Sequence, residues 1–183
     1  MHNFKLTMCA LALGLCSSLG YAADERTSGT VEFDGELIDE TCVIDDSVAD
    51  PISVKLPTLS TKTLLKSGDQ AGSTHFDIKV VSCPTEITKV AAHFEAISGE
   101  TALNAVTGNL LNDAADTEKA KNVEVRLYNA DQKQLILGST GAFFEVDSTS
   151  HEATLRYYGG YYATGATTSG KVHAKAKYTL SYE

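Results

Sequence analysis

No stretch of the chain is both apolar and long enough to cross a bilayer. The one apolar run, residues 6–16, falls short of the roughly 20 residues that a spanning helix needs. Basic residues are also scarce, 15 against 24 acidic ones for a formal charge of −9, and such an acidic balance argues against nucleic acid or anionic lipid as partners. Histidine occurs five times, never as HExxH or another close ligand pair, so no metal centre is implied. There is no CxxC and no GxSxG nucleophile elbow, and Asp45 with Asp46 reads as a solvated loop, so neither catalysis nor a cofactor has a visible carrier. GATTSGKV, residues 165–172, comes within one residue of a phosphate-binding loop. Val172 stands where the metal-binding hydroxyl belongs, and a strand rather than a helix follows.

What is there begins with MHNFKLTMCALALGLCSSLGYAADE. A short basic start at Lys5, an apolar stretch, and small Gly20 and Ala22 ahead of acidic residues form the pattern of a secretory signal peptide cleaved after Ala22. Leu15 is too large for the position before a lipidated cysteine, which sets aside a lipoprotein reading of Cys16. Removal of residues 1–22 leaves 161 of 183 residues, one domain with a real core, carrying 14 basic and 24 acidic residues for a net charge near −10. Cys9 and Cys16 leave with that segment. Cys42 and Cys83 remain, and in an oxidising compartment such a pair is most simply a disulfide, contributing about 4 kcal/mol by loop closure. The rival reading, two free thiols at a redox or metal site, has no neighbouring His/Cys cluster to support it.

Period-two rows of apolar residues recur along the chain, the mark of half-buried strands. They are Gly29, Val31, Phe33, Gly35 and Leu37; Phe76, Ile78 and Val80; Val90, Ala92, Phe94 and Ala96; Val123, Val125 and Leu127; and a run starting at Leu155 and Tyr157. The chain closes on Ala174, Ala176, Tyr178, Leu180 and Tyr182, with Lys175, Lys177, Thr179 and Ser181 on the opposite face. Turn-rich stretches at 67–73, 107–119 and 128–133 separate these rows, and the only helix-like stretch, LNDAADTEKAK, has mostly alanine at its apolar positions. The expectation is an all-β sandwich of six or seven principal strands, with a polar, unanchored flank ahead of the first.

GTVEFDGELIDETC, residues 29–42, resembles the N-terminal signature of type 1 fimbrial subunits assembled by the chaperone–usher route. HFDIKVVSC, NVEVRLYN, and YYATGATTSG with its alternating run to a penultimate tyrosine are similar, in order, to later segments of that family. Gly170, fourteenth from the end, and Tyr182 stand where the family carries its terminal marker.

The resemblance implies an incomplete immunoglobulin-like β-sandwich, a pilin domain lacking its final strand, at residues 37–183. It implies an N-terminal donor-strand extension at 23–36, after the signal peptide at 1–22. Gly29, Val31, Phe33 and Gly35 would supply the donor strand, with Gly29 at a close approach. Gly170, Ala174, Ala176, Tyr178, Leu180 and Tyr182 would form the groove edge, filled first by a chaperone and then by the next subunit. Implied partners are a periplasmic pilus chaperone, an outer-membrane usher and neighbouring fimbrial subunits, with no nucleic acid and no membrane insertion. The implied role is non-enzymatic: a structural subunit of a cell-surface fimbrium that supports adhesion, reached through the periplasm, and major and minor subunits both fit. A self-contained secreted carbohydrate- or protein-binding sandwich is the competing class, suggested by the tyrosines of RYYGGYYATG. In the fimbrial reading alternate tyrosines of that run are core, and 161 residues leave no room for a lectin domain ahead of a pilin domain.

Overall fold

The computed structural model describes residues 28, 30–35, 41–97 and 102–183, and the chain divides into two units, Met1–Leu37 and Ile38–Glu183. In the first unit residues 30–35 belong to no strand, and Val31 and Phe33 are 73% and 91% exposed. Gly29 and the expected signal peptide lie outside the described residues.

Among the described residues the elements of the second unit are strands and a 3-10 turn at Thr61–Thr63. In chain order they are β1 (Val43–Ile44), β2 (Gln70–Val81), β3 (Lys89–Ala96), β4 (Leu103–Asn104), β5 (Asn109–Leu111), β6 (Val123–Tyr128), β7 (Gln134–Leu135), β8 (Ser139–Thr140), β9 (Phe144–Glu145), β10 (Ala153–Ala163) and β11 (Ala176–Tyr182). One sheet runs β1-β2-β10-β6-β5-β4, with β7 beside β5 on the same edge of β6. The other runs β11-β3-β8, with β9 also on β3. Every strand pair is antiparallel.

The period-two rows account for the long strands. Ile78 and Val80 of β2, Ala153, Leu155 and Tyr157 of β10, and Leu127 of β6 meet Val90, Ala92 and Phe94 of β3 in one core, while Thr154 and Arg156 point outward. Tyr157 is fully buried at its centre. Its hydroxyl accepts from the Ala92 N–H at 3.0 Å and donates to the Ala142 carbonyl at 3.0 Å, joining the two sheets. The rings of Phe94 and Phe144 stand edge-on to it at 5.1 and 5.5 Å.

Three expectations shift. Among the described residues eleven strands stand against six or seven principal ones expected, because six of them are only two or three residues long and follow the ladders of their neighbours. The turn-rich stretch 67–73 already belongs to β2 from Gln70 onward, where β2 and β10 slip register near Gly159. LNDAADTEKAK forms turns, not a helix, for the reason set out below.

Candidate functional site

β11 sits at the edge of its sheet. Its register with β3 runs from Ala176 opposite Ala96 to Tyr182 opposite Val90, and on its other side no strand pairs with it among the described residues. An edge strand carries a row of unpaired N–H and C=O groups. Its inward side chains are incompletely covered as well. Ala174, Ala176, Tyr178, Leu180 and Tyr182 pack against the core, yet each stays half-buried, whereas Val90, Ala92 and Phe94 of the adjoining strand are buried. Tyr178 meets the Phe94 ring at 6.4 Å, and its hydroxyl is pushed above the ordinary value by burial first and by the charge of Asp50 second.

Asp50 opens a second feature that sequence reasoning passed over. In PISVKLP, Ile52, Val54 and Leu56 are half-buried while Pro51, Ser53, Lys55 and Pro57 are exposed, the alternation of a strand. The segment nonetheless joins no sheet, and among the described residues no backbone–backbone hydrogen bond involves residues 51–59. Ile52 packs on the same core as Tyr178 and Leu180. The signal was available as three apolar residues at period two, but flanking prolines punctuate the run and read as loop.

The segment ahead of β11 is fastened by side chains the sequence pattern did not single out. Asn112, 4% exposed, donates to the carbonyls of Ala120 and Lys171 at 2.9 and 3.0 Å and accepts from the N–H groups of Ala114 and His173 at 3.1 and 3.0 Å. The Asp113 N–H adds a bond to the His173 carbonyl at 2.8 Å, and His173 also pairs with the Asp113 carboxylate. These bonds claim the groups that a helix over 111–121 would need, so the stretch folds as turns. Gly170 lies against the same loop. A Cβ there would fall 2.7 Å from the Glu118 carbonyl oxygen and from the Lys119 carbonyl carbon, and would also strike the Ala120 nitrogen, so only glycine fits.

Of the expected groove-edge residues, Ala176, Tyr178, Leu180 and Tyr182 lie in β11. Ala174 precedes it but packs on the same core, and Gly170 precedes it at the fastened turn. Val31, Phe33 and Gly35 lie in the first unit. Cys42 and Cys83 form a disulfide, 41 residues apart, just before β1 and just after β2. Tyr157 is core, whereas Tyr158 and Tyr162 are half-exposed.

Among the described residues no group of three or more His, Cys, Asp or Glu side chains could hold a metal ion. His93 bonds to the Thr140 hydroxyl and His151 to the Cys83 carbonyl, each at 3.1 Å. What the site offers is apolar surface beside backbone groups unpaired among the described residues, features that suit the addition of an extended strand.

A model of the fimbrial protein family matches residues 31–183. The F17 fimbrial protein of Escherichia coli is 35% identical over 179 residues, covering 93% of this chain and 96% of that protein. The major fimbrial subunit SMF-1 of Stenotrophomonas maltophilia is 36% identical over 167 residues, covering 87% and 95%. Among solved structures, a chaperone-usher pilus matches with a TM-score of 0.60 at 22% identity over 85% of this chain and 96% of that one. The P pilus rod subunit PapA matches with a TM-score of 0.55 at 19% identity over 79% and 100%. At such identities the structural likeness is one of fold.

Proposed function

The chain belongs to the fimbrial protein family, as a non-enzymatic structural subunit of a cell-surface chaperone-usher fimbrium, and from that premise we propose that its copies join head to tail by donor-strand exchange at β11. The observation that carries this reading is the uncovered core face of β11. Four successive inward side chains at a sheet edge are half-buried, and Ile52, of an alternating segment at residues 51–57 that is unpaired among the described residues, rests on the same core.

An extended strand laid along β11 supplies both missing parts, backbone partners and apolar cover. Val31 and Phe33 stand two residues apart in sequence, about 7 Å along a strand, which is the repeat of the β11 row. Each contributes roughly 1.5–3 kcal/mol on full burial, and each backbone hydrogen bond about 1 kcal/mol net. Gly29 and Gly35 share their parity and suit shallow places where backbones approach closely. Residues 23–36 are the donor extension in this reading, 37–183 the acceptor sandwich, and 1–22 the export signal. A periplasmic chaperone occupies the edge before a neighbour does, and an outer-membrane usher is the site of exchange. Donor and acceptor are different segments of the chain, so the contact is heterologous and propagates as a filament.

Gel electrophoresis without reductant tests this reading. Unheated fimbriae should run as a ladder of multiples that collapses to one subunit band on boiling. Deleting residues 23–34 should leave a folded subunit that is absent from the ladder, and continued polymerisation of that variant would place the donor elsewhere.

A further inference from the structure

The outer face of the larger sheet carries a cluster that strand exchange at β11 does not use. Along β6, Val125 and Leu127 pack on the core, and the alternate residues Glu124, Arg126 and Tyr128 face away. Glu124, 4% exposed, accepts from Asn104 Nδ2 at 2.5 Å, Thr107 Oγ1 at 2.7 Å and Asn109 Nδ2 at 2.9 Å. Asn109, 1% exposed, turns its own oxygen to Arg126, accepting from Nε at 2.9 Å. The guanidinium carbon then lies 3.8 Å from the centre of the Tyr162 ring. One N–H is tied and the plane is stacked, so the fork is held before anything binds it.

Its far side is free. Nη1 and Nη2 have no hydrogen-bond acceptor and no carboxylate partner among the described residues, and no buried side-chain nitrogen lacks a partner, so these groups reach the surface. Arg156 is the contrast, gripping Asp77 through Nε at 2.8 Å and Nη2 at 2.7 Å. Half-exposed Tyr158 and Tyr162 flank Arg126 on the same face, and the Tyr128 hydroxyl donates to Gln70 Oε1 at 2.8 Å. Arginine and tyrosine are the residue types that anchor protein interfaces.

We infer that Arg126 docks a surface carboxylate of a second copy of this chain, at a contact separate from the donor strand. The inference rests on the polymer reading, which keeps identical copies adjacent. Charge complementarity names the occupant. With 24 acidic against 15 basic residues, neighbouring copies repel and present surplus carboxylates, and a rigid guanidinium with no carboxylate partner among the described residues turns one such approach into a bidentate attraction.

The test uses whole fimbriae carrying Arg126→Lys, with wild type and Arg126→Gln as controls, treated with a zero-length carbodiimide. The reagent takes up the water released as the lysine amine and a contacting carboxylate form an amide. Boiling then separates strand-exchanged subunits but not linked ones. Expected is a dimer band whose cross-linked peptide joins residue 126 to an acidic residue of another copy, with no residue-126 product in either control. Linkage confined to the monomer band, linkage to a different protein, or none at residue 126 would overturn the inference. Independently of any variant, modification of Arg126 in intact wild-type fimbriae by an arginine-selective dicarbonyl as fast as free arginine would also overturn it. An untreated, unheated lane separates the two readings: a ladder without residue-126 linkage sinks this inference alone, and no ladder in wild type sinks strand exchange.

Discussion

Tyr157 decides more of the fold than its single side chain suggests, because its hydroxyl serves a backbone donor in one sheet and a backbone carbonyl beside it. Tyr157→Phe keeps the ring packing and strands the buried Ala92 N–H, while the Ala142 carbonyl belongs to an exposed residue that water can reach. A buried donor left unsatisfied costs about 1–3 kcal/mol, so the variant should lose roughly that much in chemical denaturation, and an unchanged midpoint would mean that another group takes over. That this tyrosine faces inward was legible in RYYGGYYATG from parity alone. Asn112 was not, because a polar residue inside a polar, turn-rich stretch carries no periodic signal. Its importance arises only when residues 120, 171 and 173 come together in space. Glu124 with Asn109 escaped notice for the same reason, being a buried polar pair formed between the outward row of β6 and the start of β5.

At the scale of the element, β2, β3, β6, β10 and β11 were legible because each is long enough to display alternation, and burial follows the row that the alternation marks. The two- and three-residue strands were not, since alternation needs more residues than they possess and their place is dictated by the strand alongside. The segment at 51–57 falls between these cases: it has the row but no ladder. Half of the candidate site was therefore readable, namely the β11 row, and its companion was hidden by two prolines. Tyr182→Asp belongs to this scale. The side chain is half-buried at the end of β11, opposite Val90, and a carboxylate there must be desolvated when a strand covers the edge. Recovery of the subunit on a periplasmic chaperone should fall at least tenfold, measured by affinity capture of the chaperone, and undiminished capture would count against β11 as the recognised edge.

Across the whole molecule, acid should weaken the fold in a defined direction. The Arg156 hydrogen bonds to Asp77, aided by the Arg156 charge and opposed by burial, hold that carboxyl below its ordinary value of 3.8. Asp45, Asp131 and Asp147 are lowered as well, chiefly by hydrogen bonds from Ser47, Lys133 and Ser150 respectively. A carboxyl whose folded pKa is depressed contributes stability above its unfolded value and loses it as pH falls through the folded one. Asp77→Asn should therefore cost about 0.5–1 kcal/mol at neutral pH. Wild type and variant should converge below pH 3.8 in a thermal melt series on intact fimbriae, and a gap persisting there would assign the loss to packing rather than charge.

The disulfide has a mechanical meaning once the chain is a link in a filament. In the strand-exchange reading, tension on the chain ahead of Cys42 reaches β1 first, a strand of only two residues held to β2 by two register pairs. The sulfur bridge carries that pull across to Cys83, just after β2, and so to the long β2–β10 ladder. In that reading the bridge keeps a loaded subunit from unravelling at β1.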